Sequence, residues 1–108
     1  MWNTIGRGRC LDSNQKEYSW FWSQYKGDFN TVKKECESTK NCVGIEWGEW
    51  SYCAFSYCDY YGIVLIDANG LGAKELVHVS TGTGPITSSD PGHHTSATCY
   101  AYSCKKRE

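Results

Sequence analysis

The stretch that decides the fold covers residues 28–58 and reads DFNTVKKECESTKNCVGIEWGEWSYCAFSYC. Its first part predicts a short helix, because the side chain of Asp28 or Asn30 can accept a hydrogen bond from an otherwise unpaired amide at the helix start. Apolar residues then recur at spacings of three and four, which gives the helix one narrow apolar face. These residues are Phe29, Val32 and Cys36.

The second part of this stretch predicts a hairpin that follows a turn at Asn41. Residues 42–47 and 52–57 have the aromatic and β-branched content of strands, and Gly48 and Ser51 mark a bend between them. A helix joined to a small antiparallel sheet is therefore the predicted nucleus of the fold.

The residues before the helix predict a strand and leave one segment open. Residues 2–11 alternate loosely and contain Gly6 and Gly8, which suits a first edge strand with a close backbone approach. Residues 17–25 form an aromatic block whose spacing fits neither the helical nor the strand period. That block can serve either as core packing or as an exposed recognition surface.

The residues after residue 58 predict a hairpin, a loop and a closing strand. The apolar run 62–67 and residues 75–80 flank an Asn-Gly pair at 69–70, which favours a second hairpin with a tight turn. Residues 81–98 are small, polar and punctuated by glycine and proline, so they predict a long surface loop. Residues 99–105 predict a final strand.

Length and composition predict one secreted domain. A chain of 108 residues folds alone but with a modest core. Seven cysteines are typical of a module in which disulfides supplement that core in an oxidising, extracellular compartment. An intracellular zinc protein is the alternative, but the chain has no CxxC motif, and the adjacent His93 and His94 are far from any paired cysteines.

Charge and hydropathy argue against two classes of partner. The formal net charge is −1, and the KKR cluster at 105–107 is too short to bind nucleic acid electrostatically. No apolar run approaches the ~20 residues that span a bilayer, so no membrane insertion is predicted. Polar residues follow Met1 and Trp2, and we expect a mature or recombinant fragment whose leader is absent.

Several of these features together resemble a PAN/apple domain. They are the helix with its Cys36-x5-Cys42 spacing, the following CVGIEW strand, the opening GRGRCLDSN and the closing CY. The resemblance covers residues 5–58 and about the last ten, and it makes about 59–98 an insertion. It implies one α+β domain, 1–108, in which a small disulfide-stapled antiparallel sheet packs on one helix and carries a long inserted hairpin and loop.

The same resemblance implies a function and a disulfide pattern. Members of the family are extracellular binding modules for proteins or glycans rather than catalysts, so a secreted, non-enzymatic binding module is expected. One family bridge maps to Cys36 and Cys42. Another joins the two ends of the domain and maps to Cys10 with Cys99 or, failing that, with Cys104.

A third family bridge is broken in this chain, because Val32 stands where the family has a cysteine in the helix. Cys99 and Cys104 are five residues apart and face opposite sides of any regular strand, as do Cys53 and Cys58. We therefore expect Cys104 to pair with Cys53 or Cys58. One thiol then remains, either buried and inert or available for an intermolecular bridge that would link two chains.

Surface aromatic residues are the predicted ligand-binding groups. Five Trp, eight Tyr and three Phe are more than a core of this size can easily bury, and exposed aromatic rings form sugar-stacking and protein-docking sites. The alternative is that they pack beneath the insertion as a satellite core. The candidates lie near the first bend, at the start of the insertion and in the aromatic block: Trp47, Trp50, Tyr60, Tyr61, Trp20 and Trp22.

Two other functions remain as alternatives. Asp90, His93 and His94, with His78 more distant, favour a metal-binding loop, although adjacent histidines on a flexible loop chelate poorly. The second alternative is a structural or adhesive protein that is cross-linked through the odd cysteine. The DANG sequence at 67–70 lacks the other ligands of a calcium loop and is interpreted as a turn. No cofactor or metal is predicted.

Overall fold

The computed structural model describes residues 1–23, 28–49, 60–70, 76–92 and 97–103. Seven strands, one α-helix and one 3-10 helix lie within these ranges. They are β1 (Trp2–Arg7), β2 (Arg9–Leu11), β3 (Ser19–Trp22), α1 (Phe29–Glu37), β4 (Cys42–Glu49), β5 (Tyr60–Ile66), the 3-10 helix (Ala68–Gly70), β6 (Ser88–Asp90) and β7 (Ala97–Tyr102).

The strands form two antiparallel sheets. The larger sheet has the order β1-β7-β4-β5-β3, and the smaller is a two-stranded ribbon of β2 and β6. Every named pair of strands is antiparallel. The predicted α+β class with an antiparallel sheet and one α-helix is therefore confirmed for the described residues.

The helix begins where its sequence predicts. The carboxylate of Asp28 caps it by accepting hydrogen bonds from the amide and the hydroxyl of Thr31, and these bonds lower the pKa of Asp28. Val32 and Cys36 are fully buried. They belong to a cluster on one face of the large sheet, which we call the helix face: Phe21, Val32, Cys36, Cys42, Ile45, Val64 and Ile66.

The opposite face of the large sheet has its own buried cluster, and we call it the Glu46 face. On this face Glu46 lies between Ile63 of β5 and Cys99 of β7. Trp22 of β3 lies opposite Ile63 of β5. Because residues opposite one another in an antiparallel sheet point to the same face, Trp22 also lies on the Glu46 face. The buried cluster contains Cys10, Tyr18, Ile63, Leu65, Ile86, Ala97 and Cys99.

Two disulfides link these elements. Cys36 at the end of α1 is bonded to Cys42 at the start of β4, and Cys10 in β2 is bonded to Cys99 in β7. Both pairs are ones that the resemblance implies, and Cys10 is bonded to Cys99, the first of its two expected partners. The remaining cysteines, Cys53, Cys58 and Cys104, lie outside the described residues, and their pairing stays a prediction.

The predicted first edge strand is confirmed, but it is divided at Gly8. β1 lies at the edge of the large sheet, and β2 leaves it to pair with β6. Gly8 has a φ of +97°, and a Cβ atom there would overlap the carbonyl group of Asp90. Glycine at this position thus allows both the change of direction and the close approach of the ribbon.

The first predicted hairpin is wrong in its pairing. β4 continues through the expected bend to Glu49, and both of its edges are occupied, one by β5 and the other by β7. Gly48 lies opposite Tyr61 in this ladder. β5 is more apolar and is buried on both faces from Gly62 to Ile66, which explains why it takes the place beside β4. Residues 52–57 themselves lie outside the described residues.

The second predicted hairpin is also wrong. β5 lies between β4 and β3, which leaves no edge for residues 75–80. The Asn-Gly pair belongs to the 3-10 helix Ala68–Gly70, where the Asn69 amide donates to the carboxylate of Asp67 at 2.8 Å. The segment 59–98, expected as an insertion, thus contains a strand in the middle of the sheet.

The long loop predicted at 81–98 is largely fixed where it is described. The buried Asp12 accepts the amide of Thr83 at 3.0 Å, and Asp67 accepts the amide of Gly84 at 2.9 Å. The hydroxyl of Tyr18 donates to the Gly84 carbonyl at 2.7 Å. After these contacts the chain forms β6. The small polar residues of this segment therefore allow its backbone to pack closely against the rest of the fold instead of forming an open loop.

Candidate binding site

The six candidate aromatic residues fall into different parts of the structure. Trp20 and Trp22 lie on β3 on the Glu46 face, with ring centroids 5.0 Å apart and planes at 76°. Trp47 is half-buried on the helix face, where its ring lies 5.0 Å from that of Phe29. Trp50 and the side chains of Tyr60 and Tyr61 lie outside the described part of the chain.

The Trp20–Trp22 pair is one end of a row of six side chains that contact one another in succession. Trp20 also stacks with the imidazole of His78, at 6.1 Å between ring centroids and 29° between planes. The Nε2 atom of His78 lies 3.6 Å from a carboxylate oxygen of Glu17. We call this row the aromatic–charged strip: Trp22, Trp20, His78, Glu17, Arg9 and Asp90.

The charged end of the strip is centred on Arg9. Its guanidinium group is paired with the carboxylate of Glu17, and its Nη2 atom donates to Asp90 Oδ2 at 3.1 Å. Arg9 and Asp90 are opposite one another in the β2–β6 ribbon, while Glu17 is bridged to Leu11 at the end of β2. The ribbon therefore brings Asp90 to Arg9 across 81 positions of sequence, while Glu17 lies only 8 positions from Arg9.

Backbone and side-chain hydrogen bonds hold the strip in place beside β3. The Trp20 amide donates to the His78 carbonyl at 3.0 Å, and the Val77 amide donates to the Trp20 carbonyl at 3.0 Å. The Ser80 amide donates to the buried hydroxyl of Ser19 at 2.9 Å. These bonds fix the position of His78 relative to the two tryptophans, so the strip is preorganised.

Every member of the strip reaches the surface. Trp22 is 42% exposed, whereas a core tryptophan would be closed to a ligand. The side chains of Glu17 and Asp90 are 34% and 42% exposed, and that of Arg9 is 26% exposed. The strip thus offers an indole surface at one end and fixed hydrogen-bonding groups at the other.

A buried carboxyl group lies close to the charged end. Glu46 is 7% exposed, and its Oε2 atom accepts the Cys10 amide at 2.9 Å. Burial, together with a smaller effect of the negative charge of Glu17, raises the pKa of Glu46 to about 7. The Cys10 hydrogen bond and the positive charge of Arg9 act in the opposite direction. Glu46 therefore titrates near neutral pH.

Sequence reasoning found only part of this strip. Trp20 and Trp22 were candidates because of their residue type, but nothing in the local sequence singled out Arg9 or Glu17. Asp90 and His78 were candidates for metal binding. The only available signal for the charged end was the abundance of charges flanking short strands, and such charges are usually solvated.

The predicted metal loop is only partly described. Asp90 is paired with Arg9, His78 faces Glu17, and His93 and His94 lie outside the described ranges. Among the side chains that the structure describes, no three His, Cys, Asp or Glu residues are grouped so that they could hold a metal ion.

A second group of aromatic rings lies on the helix face and borders the buried cluster. The ring of Phe29 is 4.8 Å from that of Tyr100, and the ring of Trp2 is 4.9 Å from that of Tyr102. The indole nitrogen of Trp2 donates to Glu37 at 2.8 Å. These half-buried rings contact one another and the core, which is the arrangement expected of packing at the margin of a core.

Comparisons with family models, curated proteins and solved structures found no match for this chain. The described part contains no helix of the length and apolarity needed to cross a bilayer. The site is therefore interpreted from its own geometry.

Proposed function

We propose that this chain is an extracellular, PAN/apple-like binding module that recognises a glycan or a protein through the aromatic–charged strip. The observation that carries this proposal is the exposed indole of Trp22, which lies against Trp20 in a row that continues to Arg9. Exposed tryptophans next to fixed polar groups are the usual anchors of binding sites. Two disulfides suit a protein that works in an oxidising compartment.

The rigidity of the strip supports binding as its role. Side chains that are already held in one arrangement lose little conformational freedom when a ligand arrives. Here the ring pair is fixed by the β3 register, and the charged end is fixed by the ion pairs of Arg9. The strip is also spread along the surface rather than enclosed, which suits an extended ligand.

The proposal predicts a selective loss of binding in Trp22→Ala. Because Trp22 is 42% exposed at the edge strand, its removal should leave the fold intact while removing a stacking surface. We expect ligand affinity to fall by at least fivefold, which corresponds to about 1 kcal/mol or more. A glycan array and a panel of extracellular proteins identify a ligand for the wild type, and calorimetry then compares the two proteins.

Two tryptophan variants serve as controls. Trp2→Ala removes the same side chain from the helix face and should bind the ligand like the wild type. Trp47→Ala should lower the melting temperature, since Trp47 packs on Phe29 beside the core. If folded Trp47→Ala lost the ligand while Trp22→Ala kept it, the site would lie near the end of β4 and the strip would not be the binding surface.

A further inference from the structure

We infer that the strip takes a neutral, unsulfated oligosaccharide, with one pyranose ring stacked on Trp22 and hydroxyl groups bound at the Glu17–Arg9–Asp90 end. This inference rests on the proposed function and specifies its ligand class. It depends on three features of the strip, namely its length, its hydrogen-bonding groups and its charge.

The succession of side chains along the strip suits a ligand with more than one sugar ring. Two successive ring contacts, of 5.0 Å and 6.1 Å, separate Trp22 from His78, and Glu17 and Arg9 lie beyond. A ligand that follows the whole row therefore passes Trp20 and His78 between the indole of Trp22 and the charged end. An extended chain of rings reaches both ends, and the indole presents an apolar face to the C–H groups of the first ring.

The hydrogen-bonding groups suit hydroxyls. The carboxylates of Glu17 and Asp90 are held in place by Arg9. Asp90 Oδ1 also accepts a hydrogen bond from the Gly92 amide at 3.0 Å. Each carboxylate oxygen has a second lone pair, and both side chains are partly exposed. A hydroxyl donor that reaches either exposed carboxylate can therefore form a charge-assisted hydrogen bond with it.

The charge of this end selects against anionic sugars. The single positive charge of Arg9 is shared between two carboxylates, so the three side chains together carry a net negative charge when His78 is neutral. A sulfate or carboxylate on the ligand would meet like charges, which reduces affinity and slows association. A neutral sugar chain meets no such repulsion.

A protein partner is less well matched to the strip. The exposed aliphatic side chains nearby are Val77 and Val79, at 56% and 66% exposure. The residue between them, His78, is the one that contacts Trp20 and Glu17. The row that links the indoles to the charges is thus made of aromatic and polar side chains. Such a row suits a sugar chain, whose rings present both C–H faces and hydroxyl groups.

The test is an array of neutral oligosaccharides of glucose, mannose, galactose and N-acetylglucosamine, together with their sulfated counterparts. The tightest neutral oligosaccharide is then titrated by calorimetry into the wild type and three variants. Trp22→Ala should weaken binding at least fivefold, as expected for the loss of a stacking contact. Asp90→Asn should weaken it about tenfold, because a hydrogen bond to a charged group is replaced by a neutral one.

Glu37→Gln is the matched control, since it removes one carboxylate on the helix face and should leave the affinity unchanged. Circular dichroism checks that each variant is folded. Asp90→Asn should also reduce the discrimination against sulfated oligosaccharides, which a purely structural role of Asp90 would not do.

Three results would overturn the inference, and they differ in what they mean for the proposed function. If sulfated oligosaccharides bound more tightly than neutral ones and this binding depended on Trp22, the inferred sugar class would be wrong. The proposed binding function of the strip would still stand. Trp22-dependent binding of an extracellular protein, with no oligosaccharide bound, would have the same consequences. Absence of any Trp22-dependent binding across the array and the protein panel would overturn both.

Discussion

Replacing Cys10 and Cys99 together by alanine should lower the free energy of unfolding by about 4–5 kcal/mol in the chain-entropy model. The bond joins residues 89 positions apart, so its loss gives the unfolded chain much more conformational freedom. Both cysteines are also buried, in the core of the Glu46 face. Urea denaturation of the oxidised wild type and the double variant, followed by circular dichroism, measures the difference.

The Cys36–Cys42 bond provides the matched control. It closes a span of only 6 positions, so replacing both residues by alanine should lower the free energy of unfolding by about 2 kcal/mol in the same model. Equal losses for the two double variants, or a larger loss for Cys36 and Cys42, would contradict the argument that the long bond constrains the unfolded chain.

Features of the fold with local causes could be predicted from the sequence. The helix, its cap at Asp28 and its buried Val32 and Cys36 depend on residues within one or two turns of each other. The bond from Cys36 to Cys42 was implied by the resemblance to a PAN/apple domain, and it joins the helix end to the start of β4. For such features the deciding contacts and the sequence signals lie in the same short segment.

The choice of strand partners could not be predicted in this way. Local turn signals at Gly48 and at the Asn-Gly pair each favoured a hairpin, yet β4 continues past the first and the second belongs to a 3-10 helix. What decides is the burial of β5 on both faces, between β4 and β3. That gain depends on strands from three parts of the chain, and the apolar run 62–67 marks a buried strand without indicating which strands lie beside it.

The candidate site divides in the same way. Trp20 and Trp22 are recognisable as candidates because a small core leaves some aromatic residues at the surface. Arg9 and Asp90 meet only because β2 pairs with β6, across 81 positions of sequence. The charged end therefore follows from a strand pairing that no local pattern indicates.

The second large effect concerns Glu46 and the pH dependence of stability. In the folded protein burial raises the pKa of Glu46 from 4.5 to about 7, whereas in the unfolded chain the group is hydrated. Between these two values the folded state binds more protons at this site than the unfolded state. The contribution of Glu46 to stability therefore decreases as the pH rises from about 4.5 to about 7, and then stays constant.

Glu46→Gln should remove this dependence. The amide cannot ionise, and its oxygen can still accept the Cys10 amide that now bonds to Glu46 Oε2. We expect the variant and the wild type to have similar free energies of unfolding near pH 4. At pH 8 the variant should be more stable by on the order of 3 kcal/mol, the free energy that corresponds to the raised pKa.

Urea denaturation at pH 4, 6 and 8 measures the difference between the two proteins, in which the titration of all other groups largely cancels. Glu37→Gln, at an exposed position, controls for the loss of a negative charge alone. A difference that did not change with pH would show that the pKa of Glu46 is the same in the folded and the unfolded protein, so that burial does not raise it. If instead the wild type gained stability over the variant as the pH rose, the pKa of Glu46 would be lowered by folding. Arg9 and the Cys10 amide would then outweigh the effect of burial. Glu46 would in that case be a third carboxylate at the charged end of the strip.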